Sequence, residues 1–320
     1  MDSKLREKNI CITGGSGFVG SHLTDHLISL GMKNIIVVDN FFLGNEINLA
    51  QAKINNKNLQ IIRADAADFA SMQNILQKFS VDLVFNLAVI PLPTSLEYPA
   101  WTIEKNIAIV SNLCELLRKR NYTKLIHCSS SEAYGTAAYA PMDESHPLNA
   151  TTPYASSKAA GDLILKTYIN TFDLKATIVR PFNTFGPRQN SGSYAGIIPI
   201  ILQKIKNKTP IEIHGDGLQT RDFTFVYRTV EYIVKASESP SLEGKIINIA
   251  SGVETSIIEL VRQILSIKNM EDYPIIFTDK RAGDVQRHIA SINLAKEHLG
   301  MTEAKIQRQE LEETIKWYEK

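Results

Sequence analysis

The chain has 320 residues, of which 44% are hydrophobic and 22% charged, with a formal net charge of +1. That length holds one large domain or a domain with an added lobe, and the balance is that of a soluble globule. The near-neutral charge excludes an electrostatic pull toward nucleic acid or anionic membrane, no apolar run approaches the roughly 20 residues that span a bilayer, and the charged start carries no leader-type apolar core.

Short, continuous apolar runs predict strands at 9–13, 34–39, 59–64, 83–87 and 124–129, buried on both faces. Helical patterns fall between them at 18–30, 69–79 and 97–120. A further helix at 153–172 opens on Pro153 behind Thr151 and Thr152, either of which could cap it, and leads into a strand at 175–180. This alternation predicts an α/β fold with a doubly wound parallel (Rossmann) sheet. After Pro181 the texture changes: Gly186, Pro187, Gly192, Gly196 and Pro199 mark loops. Shorter elements follow at 197–206, 210–214, 220–226, 229–238, 245–249, 256–265, 275–277 and 311–318. Residues 1–180 are therefore expected to form a dinucleotide-binding domain and 181–320 mainly a smaller α/β substrate lobe, with 245–249 a candidate to return to the main sheet.

Cys11, Cys114 and Cys128 fit no zinc spacing and read as buried thiols of a reducing cytoplasm, so no metal is expected. His22, His26 and His127 join no carboxylate or cysteine cluster and read as packing or surface residues.

Gly14, Gly15, Gly17 and Gly20 form a glycine turn between the first strand and first helix. Glycine there permits a tight turn and close approach of a pyrophosphate. The helix start at Phe18 and Val19 would present free N–H groups to it. Asp39 ends the next strand about twenty residues on, where a carboxylate accepts ribose hydroxyls and repels a 2′-phosphate, so NAD is expected over NADP. Asp65 ends the third strand and either reaches the adenine or caps a turn.

Tyr154 and Lys158 stand four residues apart on a predicted helix and so share a face. An ammonium about 4 Å from the phenol, at an effective dielectric of about 20, would bring its pKa from about 10 to near 7. A tyrosine so tuned is a general base.

The set Gly14–Gly20, Asp39, Asn86-Leu87-Ala88, Ser129-Ser130-Ser131-Glu132-Ala133-Tyr134-Gly135, Tyr154-x-x-x-Lys158, Arg180-Pro181-Phe182-Asn183 and Thr220-Arg221-Asp222-Phe223 resembles the extended short-chain dehydrogenases/reductases that act on nucleotide sugars. The resemblance runs nearly the length of the chain. It implies a tightly held NAD contacted in part by Ala88, a UDP-, GDP- or dTDP-hexose substrate, and a homodimer through the helices at 97–120 and 153–172. It implies that Tyr154 takes a proton from a sugar hydroxyl, that Lys158 lowers the tyrosine's pKa and binds the nicotinamide ribose, and that Ser130 bonds the reacting oxygen. Asn183 and Arg221 match substrate-contacting positions. Arg221 and Arg287, the latter in Gly283-Asp284-Val285-Gln286-Arg287, are candidate pyrophosphate clamps, because a guanidinium pairs with phosphate oxygens in a fork. Arg188 reads equally as a solvated loop residue.

Family members share oxidation of a sugar hydroxyl by NAD and then diverge. Glu132 stands where dehydratases and decarboxylases of the family carry the base that removes the C5 proton, so a 4,6-dehydratase is the expected activity and a 4-epimerase the alternative. A uronic-acid decarboxylase and a non-catalytic NAD-binding protein are further readings. Two departures from the family pattern have no account in the sequence: Asn86 where His is commoner, and Val226-Tyr227-Arg228 where an acidic residue is usual.

Overall fold

The computed structural model describes residues 5–190, 196–279 and 286–319. Gly192 and the Gly283–Val285 part of the Arg287 motif lie outside them.

In chain order the first half runs β1 (Ile10–Thr13), α1 (Phe18–Ser29), β2 (Ile35–Asp39), α2 (Ala50–Asn55), β3 (Gln60–Arg63), α3 (Phe69–Lys78), β4 (Leu83–Asn86), α4 (Leu92–Glu97), α5 (Pro99–Arg118), β5 (Lys124–Cys128), α6 (Pro153–Phe172) and β6 (Ala176–Pro181). The second half runs β7 (Asn183–Phe185), α7 (Ile197–Lys206), β8 (Ile211–His214), β9 (Thr220–Phe225), α8 (Val226–Glu238), β10 (Ile246–Ile249), β11 (Glu254–Ser256), α9 (Ile257–Ile267), β12 (Ile275–Thr278), β13 (Arg287–His288), α10 (Asn293–Leu299) and α11 (Arg308–Tyr318).

Seven parallel strands form the central sheet in the order β10-β6-β5-β4-β1-β2-β3, a Rossmann-type α/β arrangement. Every residue of β1, β2 and β4 is buried, because helices cover both faces; that is what their unbroken apolar runs required. Strand order reverses between β1 and β4, which opens a crevice at their carboxyl ends. β10 comes from the second half of the chain and pairs with β6, so Asn248 lies opposite Arg180. Beside this sheet, β11-β9-β13 with β7 on β9, and the pair β12-β8, pack on a separate apolar cluster that includes Phe185, Ile201, Phe225 and Leu260.

The helix expected over 97–120 is α5, which starts two residues later, and a short helix not expected, α4, precedes it. Pro99 occupies the first turn of α5, and Tyr98, at φ −128°, ends α4. α8 begins at Val226, three residues before its apolar periodicity suggests. The 226–228 stretch ties α8 to the C-terminal segment: Tyr227 donates to Glu313 Oε1 at 2.5 Å, and Arg228 donates to the Thr302 carbonyl.

His22 is buried on α1, 2.9 Å from the Pro187 carbonyl and edge-on to Tyr227 at 5.2 Å. Burial holds its pKa down to about 4; the Pro187 bond opposes this and Arg188 adds to it. Between about pH 6.5 and 4 the unfolded imidazole takes up a proton that the folded one refuses. Stability from His22 is thus present above 6.5 and lost as pH falls toward 4, by about 3 kcal/mol. Urea unfolding at pH 7 and pH 4 is expected to show a loss smaller by about that amount in His22→Gln. Equal losses in parent and variant would remove the assignment.

Candidate active site

The crevice begins where β1 ends. Gly14 adopts φ +69°, and a Cβ on it would lie 2.7 Å from the Ala88 nitrogen. A Cβ on Gly20 would lie 2.2 Å from the Gly14 carbonyl oxygen, so neither position accepts a side chain. Gly17 caps α1 with no side-chain bond, leaving that helix end open to the cleft. Asn86 explains itself here: its carbonyl accepts from Thr13 Oγ1 at 2.7 Å, and its amide nitrogen lies 3.0 Å from His127 Nδ1. It ties the ends of β1, β4 and β5 together.

A cavity of about 320 Å³ runs across these strand ends. Gly14, Gly17, Phe18, Val19 and Gly20 line its centre. Asp39 and Asp65 line the side of β2 and β3, and Ala88, Ser130, Tyr154 and Lys158 the other side. Asp39 is buried and accepts from the Ser16 N–H at 2.9 Å and the Phe41 N–H at 2.8 Å. Burial raises its pKa against those two bonds. Asp65 accepts from the Ala67 N–H at 2.9 Å and pairs with Lys105 at 3.2 Å, so it is both a turn residue and a cavity-lining one.

On the far side, Ser130 caps a short 3-10 turn over Ser131–Tyr134, accepting from the Glu132 N–H at 3.2 Å. Its hydroxyl stands near enough to the Tyr154 phenol to oppose the rise in that group's pKa. Lys158 lies one turn further along α6, buried, and donates to the Cys128 carbonyl at 2.7 Å. The expected lowering of the phenol's pKa by this lysine is corrected: burial outweighs every other influence and holds Tyr154 above its ordinary value. Burial likewise lowers Lys158, whose ammonium is directed at Cys128. Sharing a helix face does not by itself bring two charges into contact.

Glu132 is largely buried, which raises its pKa, and it stands near enough to Arg221 for the guanidinium to pull that pKa back. The Glu132 charge in turn raises Tyr154. Arg221 is on β9, opposite His288 of β13, and donates to the Thr220 carbonyl at 2.9 Å. Asn183 keeps a buried Oδ1 without a hydrogen-bond partner. Glu132, Arg221 and Asn183 are not among the cavity's lining residues. Arg287 is not brought to the cavity either: its guanidinium forks onto Glu254 at 2.6 and 2.8 Å and is over half exposed. The pyrophosphate clamp expected of Arg287 stays a proposal, and a phosphate would have to compete with Glu254 for it. Arg188 pairs with Asp25 of α1 at 2.7 Å.

Asp162, unmarked by any motif, backs this wall. It is buried, accepts from Ser129 Oγ at 2.8 Å and Arg180 Nε at 2.9 Å, and follows Lys158 by one helical turn. The i, i+4 spacing was the available signal.

The profile of the NAD dependent epimerase/dehydratase family matches residues 10–250. The chain belongs to this family. It is 33% identical over 291 residues to the UDP-glucose 4-epimerase of Mycolicibacterium smegmatis, covering 90% of this chain and 91% of that one. The solved UDP-N-acetylglucosamine 4-epimerase from Methanobrevibacter ruminantium M1, in complex with UDP-N-acetylmuramic acid, superposes with a TM-score of 0.89 at 32% identity over 98% of both chains. The dTDP-glucose 4,6-dehydratase DesIV from Streptomyces venezuelae, solved with NAD bound, reaches 0.89 at 25% identity, over 97% of this chain and 96% of that one.

The enzyme's cofactor is NAD. The cleft fits it: a glycine cradle that any Cβ would fill, an open helix start, and a fixed carboxylate at the end of β2. Among the described residues no His/Cys/Asp/Glu group suits a metal, and no helix is long and apolar enough to cross a membrane.

Proposed function

We propose that this member of the family is a 4-epimerase of nucleotide-activated hexoses, with UDP as the favoured carrier. The observation that carries the reading is that Ser130, Tyr154 and Lys158 all line one wall of the cavity that starts at the glycine turn. The epimerase rather than the expected dehydratase is supported by two relatives above 30% identity that carry that name and extend over nine-tenths of the chain.

Bound NAD supplies a hydride acceptor that can return the hydride. Tyr154 holds the proton of the 4-hydroxyl while C4 is a ketone and gives it back when C4–H reforms on the opposite face. Ser130 donates to the reacting oxygen and keeps the phenol aligned. To accept the 4-hydroxyl proton Tyr154 must start as the phenolate, and Lys158, on the same cavity wall, supplies positive charge that favours that form. Asp39 and the open end of α1 hold the adenosine ribose and pyrophosphate, Gly14 to Gly20 and Ala88 let the backbone approach, and Arg221 and Asn183 stand on the substrate side. The expected homodimer through α5 and α6 stays part of the proposal, and Leu163 and Phe172 stand exposed on α6.

A 4,6-dehydratase is the second reading, favoured by Glu132, a buried carboxyl beside Tyr154. Incubation with UDP-, GDP- and dTDP-hexoses separates the two. The epimerase gives unchanged mass with altered ring couplings by NMR; loss of water establishes the dehydratase. Glu132→Gln is expected to keep turnover within about threefold, since epimerisation needs no base at C5. A drop of about a hundredfold or more, with a dehydrated product in the parent, overturns the epimerase.

A further inference from the structure

Phe42 and Trp101 are large apolar rings left 44% and 37% exposed, and both line the NAD cleft. They come from different elements. Phe42 follows β2 by three residues, and Trp101 lies in the first turn of α5. Their rings meet edge to face at 5.7 Å. Lys105 leaves α5 on the same face as Trp101, one turn on, and pairs with Asp65 beyond β3 at 3.2 Å. One face of α5 is thus fastened across the cleft twice, once to the loop after β2 and once to the loop after β3. This is the end of the cleft marked by Asp39, hence the adenosine half of the cofactor.

We propose that Phe42 and Trp101 form an aromatic jaw that stacks on the adenine of NAD and slows its release. A purine offers a flat π face to such rings, and the stacking is indifferent to the chemistry at C4 of the sugar. Nicotinamide binds at the Tyr154 end and does not meet the jaw.

The test uses the holoenzyme with Trp317→Phe as background, so that Trp101 is the only indole of the two in the chain. Bound NAD is exchanged for its fluorescent 1,N6-etheno analogue and then chased with excess NAD. Trp101 emission is expected to fall when the analogue binds. Release is expected to quicken about tenfold in Trp101→Ala and in Phe42→Ala, and to stay slow in Trp101→Phe, which keeps an aromatic face. Competition by ADP-ribose weakens in the alanine variants while that of nicotinamide mononucleotide is unchanged. Release within twofold of the parent in both alanine variants overturns the jaw. So does equal weakening of both competitors, or a Trp101→Phe variant as fast as alanine. None of these readouts depends on which sugar reaction the enzyme performs.

Discussion

Tyr154→Phe is expected to lower kcat by about a thousandfold or more while leaving the Kd for NAD within about threefold. The substitution removes one hydroxyl and keeps the ring, so packing against the cleft persists. Glu132, the carboxyl beside Tyr154, is not among the residues lining the cavity, and the lining groups do not replace the phenol. Cys128 is half-buried, and desolvation pushes its thiol up to about 11. Lys158 is a donor, committed to the Cys128 carbonyl. Asp39 lies toward the other end, fixed by two backbone N–H groups. Steady-state kinetics and calorimetric titration of NAD check both halves. Retained turnover would place proton transfer elsewhere and end the proposed chemistry.

Asp162→Asn is expected to cost about 3–5 kcal/mol of stability, the largest effect of any neutral-for-charged change in this wall. Arg180 is 1% exposed, and both its Nε and its Nη2 reach Asp162 Oδ2, at 2.9 and 2.8 Å. Removing the carboxylate's charge leaves a buried guanidinium over the Tyr134 ring at 4.6 Å, with Glu144 the carboxyl that still feels it. The loss extends to the site. Ser129 gives up its bond to Asp162, and it stands between Cys128, whose carbonyl holds Lys158, and Ser130, which lines the cavity with Tyr154. A fall in kcat larger than the change in KM is therefore expected, which marks Asp162 as a positioning residue. Urea unfolding and kinetics read the two effects. Asp162→Asn combined with Arg180→Met is expected to recover most of the stability, since the unpaired charge is gone. If the double variant is no more stable than the single one, the ion pair is not the cause.

The sheet was legible because two-faced burial leaves an unbroken apolar run, and β1, β2 and β4 are buried at every residue. The NAD cleft was legible because its glycines, Asp39 and the strand-to-helix turn are close in sequence. The short helix α4 was missed because six residues holding a proline at the start are too few to show a helical period. Asp162, Phe42 and Trp101 escaped because their meaning comes from partners far along the chain. The Glu254 partner of Arg287 escaped for the same reason. Tyr154 and Lys158 were found as residues, yet the electrostatics were misjudged, since spacing along a helix carries no information on desolvation. The surroundings of Glu132 were likewise out of reach: the motif supplies a carboxyl, while its nearness to Arg221 emerges only in the fold.

β10 reaches the sheet's outer edge from far along the chain, and there Asn248 accepts from the Tyr134 hydroxyl at 2.7 Å. Severing the polypeptide anywhere between β6 and β10 would thus leave the upstream fragment with a bare strand edge and an orphaned phenol. Two such fragments, produced apart, carry complementary halves of one sheet, and regain of cofactor binding on mixing would report their reunion.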